Sequence, residues 1–145
     1  MKPSFLARFL GFSVAFYVGS VVGVLVLTVV KTAVFFQHHF WSWILGWIKD
    51  DVFPISVKEL FRSPIMGLLF ALLGARGMAP SSTLKFGAVC GAFSYATAYF
   101  FTILRSTGSL PQLYFRFNLI EYSLLGVPVL LILLSRFYSV KNSQA

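Results

Sequence analysis

Between Arg8 and Lys31 the chain runs for 22 residues, Phe9 to Val30, without a charged side chain. As a helix this stretch is about 33 Å long at about 1.5 Å per residue, enough to cross a hydrocarbon layer of about 30 Å. Lys2 and Arg8 precede it and Lys31 closes it. A cleaved leader is the competing reading. The run is too long for a leader's apolar core, and a cut after Ala33 would place Lys31 at the third position before it. An uncleaved anchor is expected.

The rest of the chain is of the same kind. Of its 145 residues 58% are apolar, 18% aromatic and only 11% charged, with a mean hydropathy of +0.83. Soluble domains are about 45–50% apolar and about 25% charged. A chain this short has too little interior to hide that much apolar surface from water, and disorder is excluded by the same figures. The expected fold class is an all-α integral membrane protein in a single domain. It is a four-helix transmembrane bundle with spans at about 9–30, 60–78, 86–104 and 117–135. An aromatic amphipathic interfacial helix at about 33–48 stands between spans 1 and 2.

The interfacial helix is read from its pattern. Phe36, Phe40, Trp43 and Trp47 recur at 4-3-4 spacing, while His39, Ser42, Gly46 and Lys49 fall on another face. Such a helix lies with its rings at headgroup depth, and Trp41, Trp43 and Trp47 are its expected anchors. Asp50 and Asp51 then mark an aqueous loop, Glu59 counts with them as a loop acid, and Pro54 reads as a helix breaker. Pro64 to Ala75 covers only 12 residues. It becomes a span if extended back through Leu60 and Phe61 with Arg62 snorkelling, and forward past Arg76; a re-entrant or half-length segment is the alternative.

Twelve Lys and Arg against four Asp and Glu give a net charge of +8. The basic residues stand singly at the ends of apolar stretches, as membrane flanks do, and form no patch for nucleic acid. Four spans put both termini on one side. The basic count is even between the two sides, and the short flanks of the first span favour cytoplasmic termini in a bacterial inner membrane. Membrane lipids are the expected surroundings, and a membrane-protein partner or a homo-oligomer the expected company.

Small residues recur every four positions. Gly11, Ala15, Gly19 and Gly23 share one register of the first span, and Gly87 and Gly91 one of the third. Helices associate in lipid by close packing along such seams. These faces are expected to make helix contacts, within the chain or with a partner.

Polar candidates are few. Glu121 is the only acid inside a predicted span, with Asn118 one turn before it and Arg105 and Arg116 near the same end. A membrane carboxylate is costly unless paired, so this group reads as a structural ion pair or a transport site. His38 and His39 are adjacent and point to different helix faces, so neither a metal nor a haem is expected. Cys90 is the lone cysteine and reads as a small packing residue. No nucleophile elbow, zinc motif or phosphate loop is visible, so no catalytic residues and no cofactor are expected.

Two functions follow from these readings. One is a small subunit that docks onto a membrane partner as an accessory, assembly, immunity or exclusion-type protein. The other is a small oligomeric transporter or flippase of a lipid-linked substrate, with Glu121 and Asn118 on the path and Arg105 and Arg116 gathering a phosphate head. A pore former is a weaker third.

Overall fold

The computed structural model describes residues 3–106 and 119–143, with side chains described over 3–101 and 124–137. The described residues are helical almost throughout, with no strand. Four long helices, α1 (Phe5–Phe35), α3 (Phe53–Leu73), α4 (Pro80–Ser106) and α5 (Leu119–Ser143), carry the fold, and a short α2 (Phe40–Trp47) joins the first two.

Ser4 starts α1. Its backbone is extended and its hydroxyl accepts the amide of Ala7 at 3.2 Å, which satisfies one of the free donors of the first turn. The helix then runs 31 residues, about 46 Å, because nothing in its sequence interrupts it. It stops at Phe36, where the backbone leaves helical geometry (φ −130°, ψ 38°). Gln37–His39 form a single 3₁₀ turn, α2 follows, and a π-helical turn over Ile48–Val52 leads directly into α3.

This region corrects three expectations. The stretch 33–48 is not one helix: its first residues belong to α1, and the chain reverses at Phe36–His39. Asp50 and Asp51 do not sit in a loop, because the π-helical turn carries helical backbone through them. Pro54 does not break a helix. It is the second residue of α3, directly after the π-helical turn, and helical backbone runs on through it. The second long helix therefore starts at Phe53 and runs 21 residues, about 31 Å. Pro80 likewise opens α4.

Side-chain pairings fix the packing. Phe12 of α1 stacks on Phe70 of α3 at 4.4 Å between ring centroids, and Gly67 lies against Ser13, so these helices are antiparallel. Gly11, Gly19 and Gly23 face Leu84, Ala88 and Ala92 in turn, so α1 and α4 run parallel. The Ala75 amide at the end of α3 donates to Ser135 Oγ of α5 at 3.2 Å. The start of α1, the end of α3 and the end of α5 thus share one end of the bundle. The core is Phe12, Phe16, Met66, Phe70, Cys90 and Ile132.

The small-residue seams account for the closeness of α1 and α4. A Cβ added at Gly19 would collide with the Ala88 carbonyl, and one at Gly91 would stand 2.7 Å from the Ser20 amide. Ala15 is buried against Gly87. Gly11 has ordinary van der Waals room, with its nearest neighbour at 3.9 Å. The two seams close on each other inside the chain.

Candidate functional site

Among the described residues, the buried charges lie on α1 and α3. Arg8, in the first turn of α1, is 7% exposed and reaches the end of α3. Its Nη1 donates to the Ala71 carbonyl at 3.0 Å, and its Nη2 to those of Phe70, Gly74 and Ala75 at 3.0–3.1 Å. A helix end leaves four carbonyls without partners and carries partial negative charge. The planar guanidinium answers both needs, and also lies 5.2 Å from the Phe70 ring centroid. This contact pins two helix ends together, with both Nη atoms committed to α3 carbonyls and Nε buried without a partner.

The second buried centre draws on all four long helices. Glu59 and Arg62 stand one turn apart on α3, on the face turned to the bundle interior. Glu59 is 1% exposed. Its Oε2 accepts Arg62 Nε at 3.1 Å, and its Oε1 accepts the Tyr95 hydroxyl of α4 at 2.6 Å. Arg62 donates further, to the Leu124 carbonyl of α5 at 2.9 Å and to Ser94 Oγ at 3.3 Å. Its guanidinium lies between the rings of Phe16 and Tyr95, at 5.1 and 5.2 Å. The centre is neutral as a whole, and both charges are satisfied in several directions, as burial demands. Among the described residues this is the one ion pair, and the Ser20 and Ser63 hydroxyls are buried in the same interior without a partner.

A cavity of about 320 Å³ opens beside this centre. Val24, Leu27, Ile55, Ala98 and Leu124 give it apolar walls, and Tyr95 separates it from Glu59. Thr28, Lys31, Asp51, Lys58 and Tyr99 supply its polar groups. Lys31 Nζ sits over the Trp47 ring at 3.4 Å from the centroid. Trp47 also stacks with Trp43, and both lie against Phe36. Of the four rings in the 4-3-4 stripe, Phe36, Trp43 and Trp47 cluster together, while Phe40 pairs with Trp41 instead. Trp41 is set apart, 79% exposed, with its ring edge-on to Phe40.

The structure shows a polar centre that the sequence reading did not single out. Glu59 was expected in a loop and Arg62 at a snorkelling position, and both instead point inward from α3. The reason is the early start of that helix, which puts Glu59 in its second turn and gives the pair its i, i+3 spacing. Asn118, Arg116, and the side chains of Arg105 and Glu121 lie outside the described residues. Of the predicted packing residues, Ala15, Gly19, Gly23, Gly87 and Gly91 all lie at the contact of α1 with α4. No three described His, Cys, Asp or Glu side chains are grouped so as to hold a metal ion.

Searches for a matching family model, for similar curated proteins and for similar solved structures each return no match to this chain. By length and composition α1 is, among the described helices, the one able to cross a membrane, and Leu124–Phe137 is a shorter apolar stretch.

Proposed function

We propose that this chain is a four-span integral membrane protein that works by binding within the bilayer, with its working centre at the Glu59–Arg62–Tyr95 network and the cavity beside it. The supporting observation is the direction of the side chains. A core helix of a soluble protein can be as long and apolar as α1, but it buries its large aliphatic residues. α1 buries Phe12, Phe16 and Val24 but turns most of its aliphatic residues outward. Leu6, Leu10, Val14, Val18, Val22, Val26 and Val30 are exposed in one register, while Arg8, Ser13, Ser20, Thr28 and Thr32 are buried. Exposed Ile65, Leu68 and Leu72 of α3, Val89 and Phe93 of α4, and Leu130 and Leu134 of α5 continue that surface around the bundle. Water disfavours such an exterior, and lipid accepts it.

The interior fits the same solvent. Ser13, Thr32, Thr83 and Ser135 donate to carbonyls three or four residues back in their own helices, which removes the need for water. α3 fails a simple hydropathy test because of Lys58, Glu59 and Arg62. Pairing the last two inside the bundle removes most of that cost. In this reading the α2 hairpin, with its exposed Trp41 and Trp43, lies at the headgroup boundary, and both termini face the cytoplasm of a bacterial cell.

The docking role expected from the small-residue seams has to use other faces, since α1 and α4 fill those seams with each other. The cavity with its cationic rim moves the reading toward a carried or held ligand, which was the second expectation from sequence. The site shifts from Glu121 to α3. A topology map tests the framework. In a Cys90→Ser background, single cysteines at Ser4, Lys49, Gly77 and Asn142 should resist alkaline extraction with the membrane. Ser4, Gly77 and Asn142 should react with an impermeant maleimide from one side and Lys49 from the other. A chain released by alkaline carbonate, or one with Ser4 and Gly77 on opposite sides, overturns it.

A further inference from the structure

The cavity beside Tyr95 has the make-up of a site for an amphiphile with an anionic head. Its wall runs from Val24 to Lys31 on α1, about 10 Å of that helix, and from Asp51 on the π-helical turn to Lys58 on α3. Its volume of about 320 Å³ falls at the lower end of the range for ligand sites, about 300–1,000 Å³. Five apolar side chains suit methylene groups. Two ammonium groups, Lys31 and Lys58, line the same space, against one carboxylate, Asp51. Neither lysine forms an ion pair with any described residue; the single ion pair there is Glu59–Arg62. Lys31 is instead steered by the Trp47 face, which fixes its position without neutralising it.

We infer that this cavity binds the phosphate head and first methylenes of a single lipid molecule. Lys31 and Lys58 take the phosphate oxygens, Tyr99 stands beside them, and Val24, Leu27 and Ile55 take the chain. Lysine holds phosphate as a compact point charge and does not require fixed geometry, which fits two flexible side chains at a rim. Asp51 on the same rim lowers the net charge to a single positive one, so the site suits a monoanionic or dianionic head and has little pull on a polyanion. Tyr95 forms the floor, and its hydroxyl is already committed to Glu59. A bound chain is therefore felt by the Glu59–Arg62 centre through one side chain. This inference rests on the membrane reading above.

The test uses the full chain purified in a neutral detergent and titrated with lysophosphatidic acid. Tryptophan fluorescence, to which Trp47 contributes beside Trp41 and Trp43, is the readout, because Lys31 lies on the Trp47 ring. Monoacylglycerol with the same chain and inorganic phosphate are titrated in parallel. Lysophosphatidic acid should give a saturable change. Lys31→Gln and Lys58→Gln should each weaken it about tenfold, and Lys49→Gln, exposed and outside the cavity, should leave it unchanged. Binding to Lys31→Gln is read by competition with a radiolabelled probe, since that variant alters the fluorophore's own contact. Lys58 is exposed and Lys31 half-buried, so the folded state of these variants is checked by matching elution and thermal midpoint. Equal binding of monoacylglycerol, or unchanged affinity in both lysine variants, overturns the inference. Tighter binding of inorganic phosphate than of the lipid overturns the lipid source. A chain that stays in the membrane after carbonate treatment yet binds none of the probes refutes this inference alone and leaves the four-span framework standing.

Discussion

Removing either charge from the Glu59–Arg62 pair should destabilise the bundle, and removing both should cost less than the sum. Exposed ion pairs contribute about 0–1 kcal/mol. This pair is of another kind, with Glu59 1% exposed and the Arg62 side chain 12% exposed. Stripping one member of a buried pair strands the other and costs about 3–5 kcal/mol. Arg62→Met leaves the Glu59 carboxylate with the Tyr95 hydroxyl as its described partner, and it also frees the Leu124 carbonyl and Ser94. It belongs at the upper end, about 5 kcal/mol. Glu59→Met leaves Arg62 with two donors still engaged, so it belongs nearer 3 kcal/mol. Together the singles sum to about 8 kcal/mol. The double change leaves no uncompensated charge, only the Tyr95, Ser94 and Leu124 groups without their partners, at about 1–3 kcal/mol in all. The expected coupling is therefore well above 2 kcal/mol. Equilibrium unfolding of the detergent-solubilised chain in an SDS titration measures all four corners of the cycle. Singles below about 1 kcal/mol that add to within about 0.5 kcal/mol would refute the buried-centre account.

Other outcomes follow from single contacts. Gly91→Leu places a side chain against the Phe16 carbonyl and the Ser20 amide, and should cost about 1–3 kcal/mol or block folding, read as a lowered thermal midpoint. Gly126→Ala in α5, with nothing within 4 Å, should instead be neutral or stabilise by up to about 1 kcal/mol in the same scan. Arg8→Lys keeps the charge but loses the planar fork over the α3 carbonyls, and should lose about 2 kcal/mol, less than Arg8→Met. Cys90 is fully buried and should resist a maleimide in mild detergent, reacting only once SDS unfolds the chain.

The parts of this fold that were legible in the sequence are those governed by local pattern. The uncharged run of α1 announces its helix, and the four-residue spacing of Gly19, Gly23, Gly87 and Gly91 announces contact faces. The partner of each seam was not legible, because nothing in spacing says which helix lies opposite. The polar centre was hidden for a more specific reason. Pro54 after two aspartates looks like the end of a helix, yet proline is equally at home in a first turn. Reading it as a stop placed Glu59 in a loop and left Glu121 as the acid of interest. The Glu59-x-x-Arg62 spacing was the available signal, since it puts opposite charges on one helical face one turn apart. Tyr95 and Leu124, which complete the centre, lie far away in sequence and only packing brings them there.

The central claim is that the large aliphatic side chains of this bundle face lipid while Arg8, Glu59 and Arg62 face inward. Spin labels on single cysteines at Val14, Val22, Leu68, Val89 and Leu130, in a Cys90→Ser chain reconstituted in vesicles, test it directly. The account predicts that all five relax rapidly with dissolved oxygen and hardly at all with a water-soluble nickel complex. Strong relaxation by the nickel complex at these positions would place that surface in water and contradict the account.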